Sequence, residues 1–221
     1  MSGGPNPHYP TRGERIADAW VHGIGLTIAG IGAVALLGLA IAEGGAGQFS
    51  ALAIYAFCWI AMLIASTLYN FHDRSARQPF FRRIDHAAIF LMIAGTYTPF
   101  TTQRFEGAWA IGMTAAVWAI AILGAAGKLF LPGLSKRLWV ALYLALGWLA
   151  LIALQPFIAG VPLAALILII VGGALYTIGV VFYLIKRLPY RRAIWHGSVV
   201  AASGAHYAAV LVGVLFAAPL S

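Results

Sequence analysis

Long apolar runs alternate with short polar connectors along the chain. Seven runs are evident, over residues 22–42, 50–70, 86–102, 108–127, 138–155, 163–185 and 193–217. Each is close to the ~20 residues that a helix needs to cross a ~30 Å hydrocarbon core, and longer than the ~10 residues of a membrane-barrel strand. A helix also satisfies its own backbone hydrogen bonds, as lipid surroundings require. The pattern predicts an all-α fold, a polytopic bundle of seven transmembrane helices over residues 22–217.

Basic residues mark one side of this bundle. All but one of the 14 Lys and Arg residues lie in the N-terminal segment or in the second, fourth and sixth connectors. The exception is Arg104, and the others are Arg12, Arg15, Arg74, Arg77, Arg82, Arg83, Lys128, Lys136, Arg137, Lys186, Arg187, Arg191 and Arg192. Connectors rich in Lys and Arg stay on the cytoplasmic side. The pattern predicts a cytoplasmic N-terminal tail over residues 1–21 and a C-terminus outside.

Composition supports a membrane protein and narrows its partners. Hydrophobic residues make up 62% of the 221 residues and charged residues only 9%, unlike ordinary soluble domains. The net charge of +8 comes from the connectors, so it is a topology signal and does not indicate a nucleic acid partner. The one cysteine, Cys58, lies in an apolar run, which excludes a disulfide framework and a thiolate metal cluster.

Polar side chains gather at the predicted cytoplasmic ends of four helices. Ser66 and Asn70 stand four residues apart, a spacing that places both on one helical face. The starts of the first, third and seventh predicted helices, with the residues just before them, contribute further polar residues at the same depth: Asp18 and His22, Asp85 and His86, and Arg192 and His196. Polar groups at the edge of the hydrocarbon are costly, and they usually face the bundle interior. We therefore expect these groups to form one site.

Five stretches occur in a characteristic order and spacing: STLYNF, RRIDHAAIFLMIAGTYTPF, ALYLALGWLALIAL, GGALYTIGVVFY and AIWHGSVVAASGAHY. In this respect the chain resembles the hemolysin III family, the bacterial branch of the progestin and adipoQ receptors, which include the adiponectin receptors. The resemblance extends from about Glu14 to Tyr207. It implies a seven-helix protein of the bacterial inner membrane, with a cytoplasmic N-terminus and a zinc ion near the cytoplasmic face.

The resemblance also implies where that ion would bind. In relatives, a histidine at the end of the second helix and a His-x-x-x-His pair opening the seventh hold zinc, supported by a serine and an aspartate. Ser66 and Asp85 match the supporting positions, whereas the ligand positions correspond to Asn70, Arg192 and His196. Zinc sites need at least three protein ligands, and arginine has no lone pair to offer. We therefore expect a degenerate site without tightly bound zinc and no cofactor.

Two alternatives concern the residues around this site. His72 or His22 could replace a missing ligand, although a lone histidine in a connector is more often solvated. Arg192 could fold inward, pair with Asp85 and hydrogen-bond Ser66 or Asn70, which would make a metal-free polar plug. It could instead extend to the interface as a topology charge, because it belongs to the basic run KRLPYRR.

Three functions fit these features. The first is membrane lipid sensing or homeostasis, with an acyl chain or a sphingolipid-like ligand in the bundle and its headgroup at the polar residues. The second, implied by the resemblance, is a ceramidase-like hydrolase of lipid amides in which Ser66 and Asp85 assist; a metal-free version would use Ser66 and His196, with Asp85 orienting the imidazole. The third is an ion or proton channel, or a cytolytic pore.

Overall fold

The structure is a computed structural model that describes residues 9–72, 76–131 and 133–218. Arg74, one of the predicted cytoplasmic charges, and residues 1–8 of the predicted tail lie outside the described residues. The described chain is helical and contains no strand. Its helices are α1 (Arg12–Glu43), α2 (Ala46–Phe71), α3 (Gln78–Gln103), α4 (Gly107–Phe130), α5 (Lys136–Gly147), α6 (Leu154–Gly160), α7 (Leu163–Leu184) and α8 (Arg191–Val210), and a π-helical turn at Leu211–Leu215 extends α8.

The all-α membrane architecture is confirmed, but the count of seven spans is not. Within the described residues, five helices are long and apolar enough to cross a membrane: α1, α2, α4, α7 and α8. A sixth span results if α5 and α6, which meet at 54°, are taken as one broken segment. Helix α3 has 26 residues but begins with the polar stretch QPFFRRIDH, which lowers its hydropathy. The sidedness of the termini stays a prediction.

Helix α1 begins well before the apolar run that predicts it. Thr11 caps this helix, since its hydroxyl accepts a hydrogen bond from the Glu14 backbone N at 3.1 Å. The helix therefore covers Arg12 to Glu43, and the predicted tail is helical from Arg12 onward. Asp18 and His22, four residues apart, consequently lie on one face of a regular helix and are both buried.

The fifth apolar run is broken, contrary to the prediction of one helix over residues 138–155. Helix α5 ends at Gly147, a short 3-10 turn follows, and α6 begins at Leu154 and continues to Gly160, between the predicted fifth and sixth helices. Pro156 explains the break, because proline lacks the N–H that a continuous helix requires but is tolerated in a first turn. Tyr97 of α3 supports the break: its hydroxyl donates to Gly147 O at 2.9 Å and accepts from Ala150 N at 2.7 Å.

Close helix contacts bring the polar residues together. Helix α3 packs between α2 and α4, and α8 packs between α7 and α1. A Cβ atom added to Gly25 would lie 2.8 Å from Val200 Cγ2, so glycine is needed where α1 crosses α8. Similarly, a Cβ atom on Gly95 would lie 2.7 Å from Cys58 Cβ, where α3 crosses α2. These contacts set α1, α2, α3 and α8 around one end of the bundle, where α2 ends and α3 and α8 begin; we call it the polar end.

Candidate functional site

A group of five buried polar side chains occupies the polar end. Asp18 and His22 come from α1, Ser66 and Asn70 from the last turns of α2, and His196 from the start of α8. None is more than 8% exposed, and Asp18 is fully buried. Buried polar groups are costly unless they are hydrogen-bonded, so their contacts with one another decide what the group can do. We call these five residues the polar cluster.

Asp18 is the central acceptor of this cluster. One carboxylate oxygen, Oδ1, lies 2.6 Å from His196 Nδ1. The other, Oδ2, accepts a hydrogen bond from the Tyr9 hydroxyl and lies 3.6 Å from His22 Nε2. A carboxylate that accepts a hydrogen bond from one imidazole nitrogen fixes the orientation of the ring, and so Asp18 sets where the other nitrogen of His196 points.

Arg192 folds into the site through Asn70. Its Nη1 atom donates to Asn70 Oδ1 at 3.2 Å, and its guanidinium lies 5.7 Å from the Tyr9 ring centre and 6.0 Å from that of Tyr69. The Asn70 contact of the plug hypothesis is thereby confirmed. Asn70 in turn donates from Nδ2 to Ser66 O at 2.9 Å, and the same Nδ2 lies 3.5 Å from His196 Nε2.

Ser66 meets His196, but the carboxylate that orients the imidazole is Asp18. The Ser66 hydroxyl oxygen lies 3.5 Å from His196 Nε2, as the metal-free hydrolase hypothesis requires. Asp85, which that hypothesis placed on the imidazole, interacts instead with the Ser66 hydroxyl and lies 4.0 Å from His86. The expectation that Asp85 orients the His196 imidazole is therefore wrong. Helix α3 presents this carboxylate to α2, whereas α1 packs on α8 and presents Asp18 to the histidine.

The two histidines considered as replacement ligands have different positions. His72 is exposed at the end of α2, donates from Nδ1 to Leu68 O at 3.1 Å and packs against the Phe81 ring. It is outside the polar cluster, as expected for a solvated histidine. His22 lies inside it, with its ring centre 4.4 Å from that of His196.

The donor sets differ in their fit to a metal ion. Asn70, Arg192 and His196, at the positions where relatives bind zinc, do not fit, because Arg192 has no lone pair and donates to the Asn70 oxygen. Asp18, His22 and His196 do offer suitable atoms, all within 4.8 Å of one another. Two imidazoles and one carboxylate match the ligand number and type of a catalytic zinc site. The structure therefore contains a candidate metal site, and the expectation of no cofactor is not confirmed.

A cavity of about 440 Å³ opens beside the polar cluster. It runs between α2, α3, α5, α7 and α8, and Ser66, Asp85 and His196 lie at its polar end. Apolar side chains such as Met62, Ile89, Met92, Val140 and Leu144 line the remainder. Five basic residues also line it: Arg82, Arg83, Lys128, Lys136 and Arg192. The cavity thus combines an apolar wall with a positively charged end.

Fold and site together define a multi-pass, all-α membrane protein with a buried polar cluster beside an internal cavity. The Haemolysin-III related family model matches residues 13–207. The chain is also 34% identical over 198 residues to the Hemolysin-3 homolog of Bacillus subtilis (strain 168), covering 90% of this chain and 93% of the relative. Its identity to Hemolysin-3 of Bacillus cereus is 32% over 202 residues, covering 91% and 92%. The chain belongs to the hemolysin III family.

Proposed function

We propose that this hemolysin III family member binds a membrane lipid inside the bundle and acts in lipid sensing or homeostasis in the bacterial inner membrane. The observation that carries the proposal is the cavity. Its volume of about 440 Å³ falls within the ~300–1,000 Å³ of typical small-molecule sites. Its apolar wall suits an acyl chain, which finds there surroundings as apolar as the hydrocarbon core of the bilayer.

The charges at the cavity end indicate a polar or anionic headgroup. Five Lys and Arg side chains line the cavity, whereas Asp85 is its one acidic lining residue within the described chain. Arginine binds carboxylate and phosphate groups in a two-pronged geometry, and lysine adds a point charge. A single-chain anionic lipid, or a sphingolipid-like ligand with a charged head, therefore fits this end.

Arg192 connects the cavity, where a headgroup would bind, with the polar cluster. It lines the cavity and also donates to Asn70 in the polar cluster. A headgroup that competes for the Arg192 guanidinium would weaken that hydrogen bond and change the contacts between α2 and α8. This differential contact is what a lipid-dependent response needs, because a ligand shifts an equilibrium only through unequal affinity for two states.

Native mass spectrometry of the delipidated full-length protein tests lipid binding. We expect an oleate or lysophosphatidic acid adduct with one-to-one stoichiometry and a weaker adduct with neutral monoolein. Ile89→Trp, which fills the cavity, should abolish the adduct, while Ile111→Trp, at a lipid-facing position 76% exposed, should leave it unchanged. Equal binding by both variants would overturn the proposal.

A charge-matched pair of variants tests headgroup recognition. The double change Arg82→Gln and Lys128→Gln removes two cavity charges, whereas Arg137→Gln with Arg187→Gln removes two charges of the connectors. We expect the first pair to lower the affinity for the anionic lipids and to leave monoolein binding unchanged. Equal losses in both pairs would show a nonspecific charge effect and would contradict a headgroup site in the cavity.

Hydrolysis of a lipid amide or ester is a second candidate function. The specific observation in its favour is that Ser66 and His196 both line the cavity and approach to 3.5 Å. Incubating the protein with ceramide and acyl ester substrates, with detection of released fatty acid, distinguishes the two functions. Turnover would show that the bound lipid is also a substrate, and stable binding without turnover would support sensing alone.

A further inference from the structure

We infer that Ser66, His196 and Asp18 form a metal-independent acyl-transfer site, in which His196 Nε2 accepts the proton of the Ser66 hydroxyl. The inference rests on the proposed lipid cavity, which would supply an acyl ester or amide to Ser66. Asp18 is a positioning residue, because it contacts the imidazole and does not line the cavity. The hydrogen-bond arrangement around His196 carries the inference.

That arrangement fixes which imidazole nitrogen of His196 holds the proton. Arg192 can only donate, so the Asn70 atom 3.2 Å from its Nη1 must be the carbonyl Oδ1. The Asn70 amide nitrogen then faces His196 Nε2 at 3.5 Å. Asp18 Oδ1 is a carboxylate oxygen that can only accept, so a neutral His196 ring holds its proton on Nδ1 and leaves its lone pair on Nε2. Nδ1–H donates to Asp18 Oδ1 at 2.6 Å.

The Asp18 carboxylate is itself held in place before any substrate arrives. Tyr9 donates to its Oδ2 atom. On the neighbouring side, Thr67 donates its hydroxyl proton to Leu63 O at 2.7 Å, so the same hydroxyl must accept from His22 Nδ1 at 3.2 Å. With its proton on Nδ1, His22 turns towards Asp18 an Nε2 atom that lies 3.6 Å from Oδ2 and makes no hydrogen bond within the described residues. The hydrogen bond from Tyr9 therefore holds the carboxylate, and the carboxylate holds the His196 imidazole in the tautomer and orientation that a general base requires.

The reaction can be written with all atoms accounted for. The Ser66 hydroxyl first turns from the Asp85 carboxylate to His196 Nε2. Ser66 Oγ then forms a bond to the carbonyl carbon while its proton passes to Nε2; the C–O or C–N bond breaks, and the leaving alcohol or amine takes that proton. Water next attacks the acyl-serine, gives its proton to Nε2, and the fatty acid leaves as Ser66 Oγ regains the proton. The Arg192 cation lines the same cavity and is placed to stabilise the oxyanion, while the Asn70 amide stays bonded to Ser66 O.

The same hydrogen bonds weigh against a metal on His196. Its Nε2 atom faces the Asn70 amide and Ser66, and its Nδ1 atom already donates to Asp18. A metal ion held by Asp18, His22 and His196 would have to displace the Nδ1 proton. The two states therefore differ in a measurable property, the tautomer of His196, as well as in metal content.

Covalent labelling tests the nucleophile. Purified full-length protein in detergent is treated with an alkyl fluorophosphonate, which reacts with activated serines, and the labelled residue is identified by peptide mass spectrometry. We expect label on Ser66 in the unaltered protein and none in Ser66→Ala. Ser198→Ala and Ser50→Ala should label normally, since these hydroxyls donate to Ile194 O and Ala46 O within their own helices. Label absent from Ser66 in the unaltered protein overturns the inference without depending on any variant.

Variants of Asp18 and Asp85 test which carboxylate assists His196. His196→Gln and Asp18→Asn should slow labelling by about 10²–10⁴-fold, the usual contribution of general acid–base catalysis. Asp85→Asn should slow it less, because Asp85 contacts the hydroxyl and not the imidazole. If Asp85→Asn stops labelling while Asp18→Asn does not, Asp85 is the base and the inference is wrong.

Nitrogen-15 NMR of histidine-labelled protein provides a readout that a merely structural role of Asp18 would not move. We expect a protonated Nδ1 and an unprotonated Nε2 for His196, assigned with His196→Gln, and a change of this signature in Asp18→Asn. A protonated Nε2, or about one equivalent of bound zinc that is lost in His22→Gln, would overturn the inference in favour of a metal site. Lipid binding without Ser66 labelling would refute the acyl-transfer site alone. Labelling without lipid binding would refute the lipid function alone.

Discussion

The two ends of the bundle use polar side chains in different ways. At the end opposite the polar cluster, two partly buried side chains donate to backbone carbonyls: Arg104 to Gly160 O at 2.6 Å and to Ala218 O at 2.8 Å, and Gln48 to Val214 O at 3.0 Å. The last carbonyls of a helix have no partner within the helix, so these side chains complete the ends of α6 and α8. These contacts give Arg104 and Gln48 a structural role.

At the polar end, the side chains bond chiefly to one another. Asp18, His196, Asn70 and Arg192 form a continuous series of hydrogen bonds that ends beside Ser66 and the cavity. Such a network satisfies fewer helix-end carbonyls than the contacts at the opposite end do. It leaves His196 Nε2 and the Ser66 hydroxyl facing the cavity. In this fold, the hydrogen-bond partner of a polar side chain, more than its burial, distinguishes structural from candidate functional positions.

Restoring two zinc ligands should produce the largest change at the polar end. The double variant Asn70→His with Arg192→His replaces an amide and a fixed cation by two imidazoles beside His196, which completes a three-nitrogen donor set. We expect about one equivalent of zinc in this variant and much less in the unaltered protein, measured by elemental mass spectrometry. Comparable zinc in both proteins would show that Asp18 and His22 already hold a metal, and it would make the polar end a metal centre.

Removing the central acceptor should cause the next largest effect. Asp18→Ala leaves two buried donors, the Tyr9 hydroxyl and His196 Nδ1, without an acceptor. Each such donor costs about 1–3 kcal/mol, so the free energy of unfolding should fall by ~2–6 kcal/mol. Denaturant unfolding in detergent measures it. Glu43→Ala, an exposed carboxylate at the other end of the same helix, is the control, and equal losses in both would mean that Asp18 makes no network.

A change at the opposite end should lower stability without touching the site. Arg104→Met leaves the buried Gly160 carbonyl without its donor, at a cost of about 1–3 kcal/mol, while the Ala218 carbonyl is exposed. We expect a lower unfolding free energy together with unchanged fluorophosphonate labelling at Ser66. Loss of labelling in this folded variant would break the distinction between the two ends, because it would couple a structural arginine to the nucleophile.

The sequence predicts the helical segments and part of the candidate site. The first four apolar runs lie within α1 to α4, since a hydrophobic run of sufficient length in lipid has no alternative to a helix. The meeting of Ser66, Asn70 and His196 follows from the family resemblance. Asp18 was visible as one of a pair spaced by four residues, but its contact with His196 depends on how closely α1 approaches α8. That approach is set by Gly25 against Val200, a tertiary contact that no local pattern encodes.

The break between α5 and α6 shows a second limit of the pattern. Hydropathy reports how apolar a stretch is and does not report whether its helix is continuous, so it predicts one helix for the run at 138–155. The hydroxyl that supports the break comes from Tyr97, about fifty positions away in sequence. Pro156, one residue after the run, is the local signal for the break in the sequence.

The smallest expected effect concerns this break, which lies along the cavity between the two ends. Tyr97→Phe removes one hydroxyl that donates to Gly147 O and accepts from Ala150 N, so the free energy of unfolding should fall by about 0.5–1.5 kcal/mol in total, because both bonds are only partly buried. Hydrogen exchange at the Ala150 amide should become faster, because its acceptor is lost. Tyr143→Phe, which removes a hydroxyl that donates to His86 O, should leave that exchange unchanged. Unaltered exchange at Ala150 in Tyr97→Phe would mean that Pro156 alone maintains the break, and that α3 positions the cavity wall without holding it.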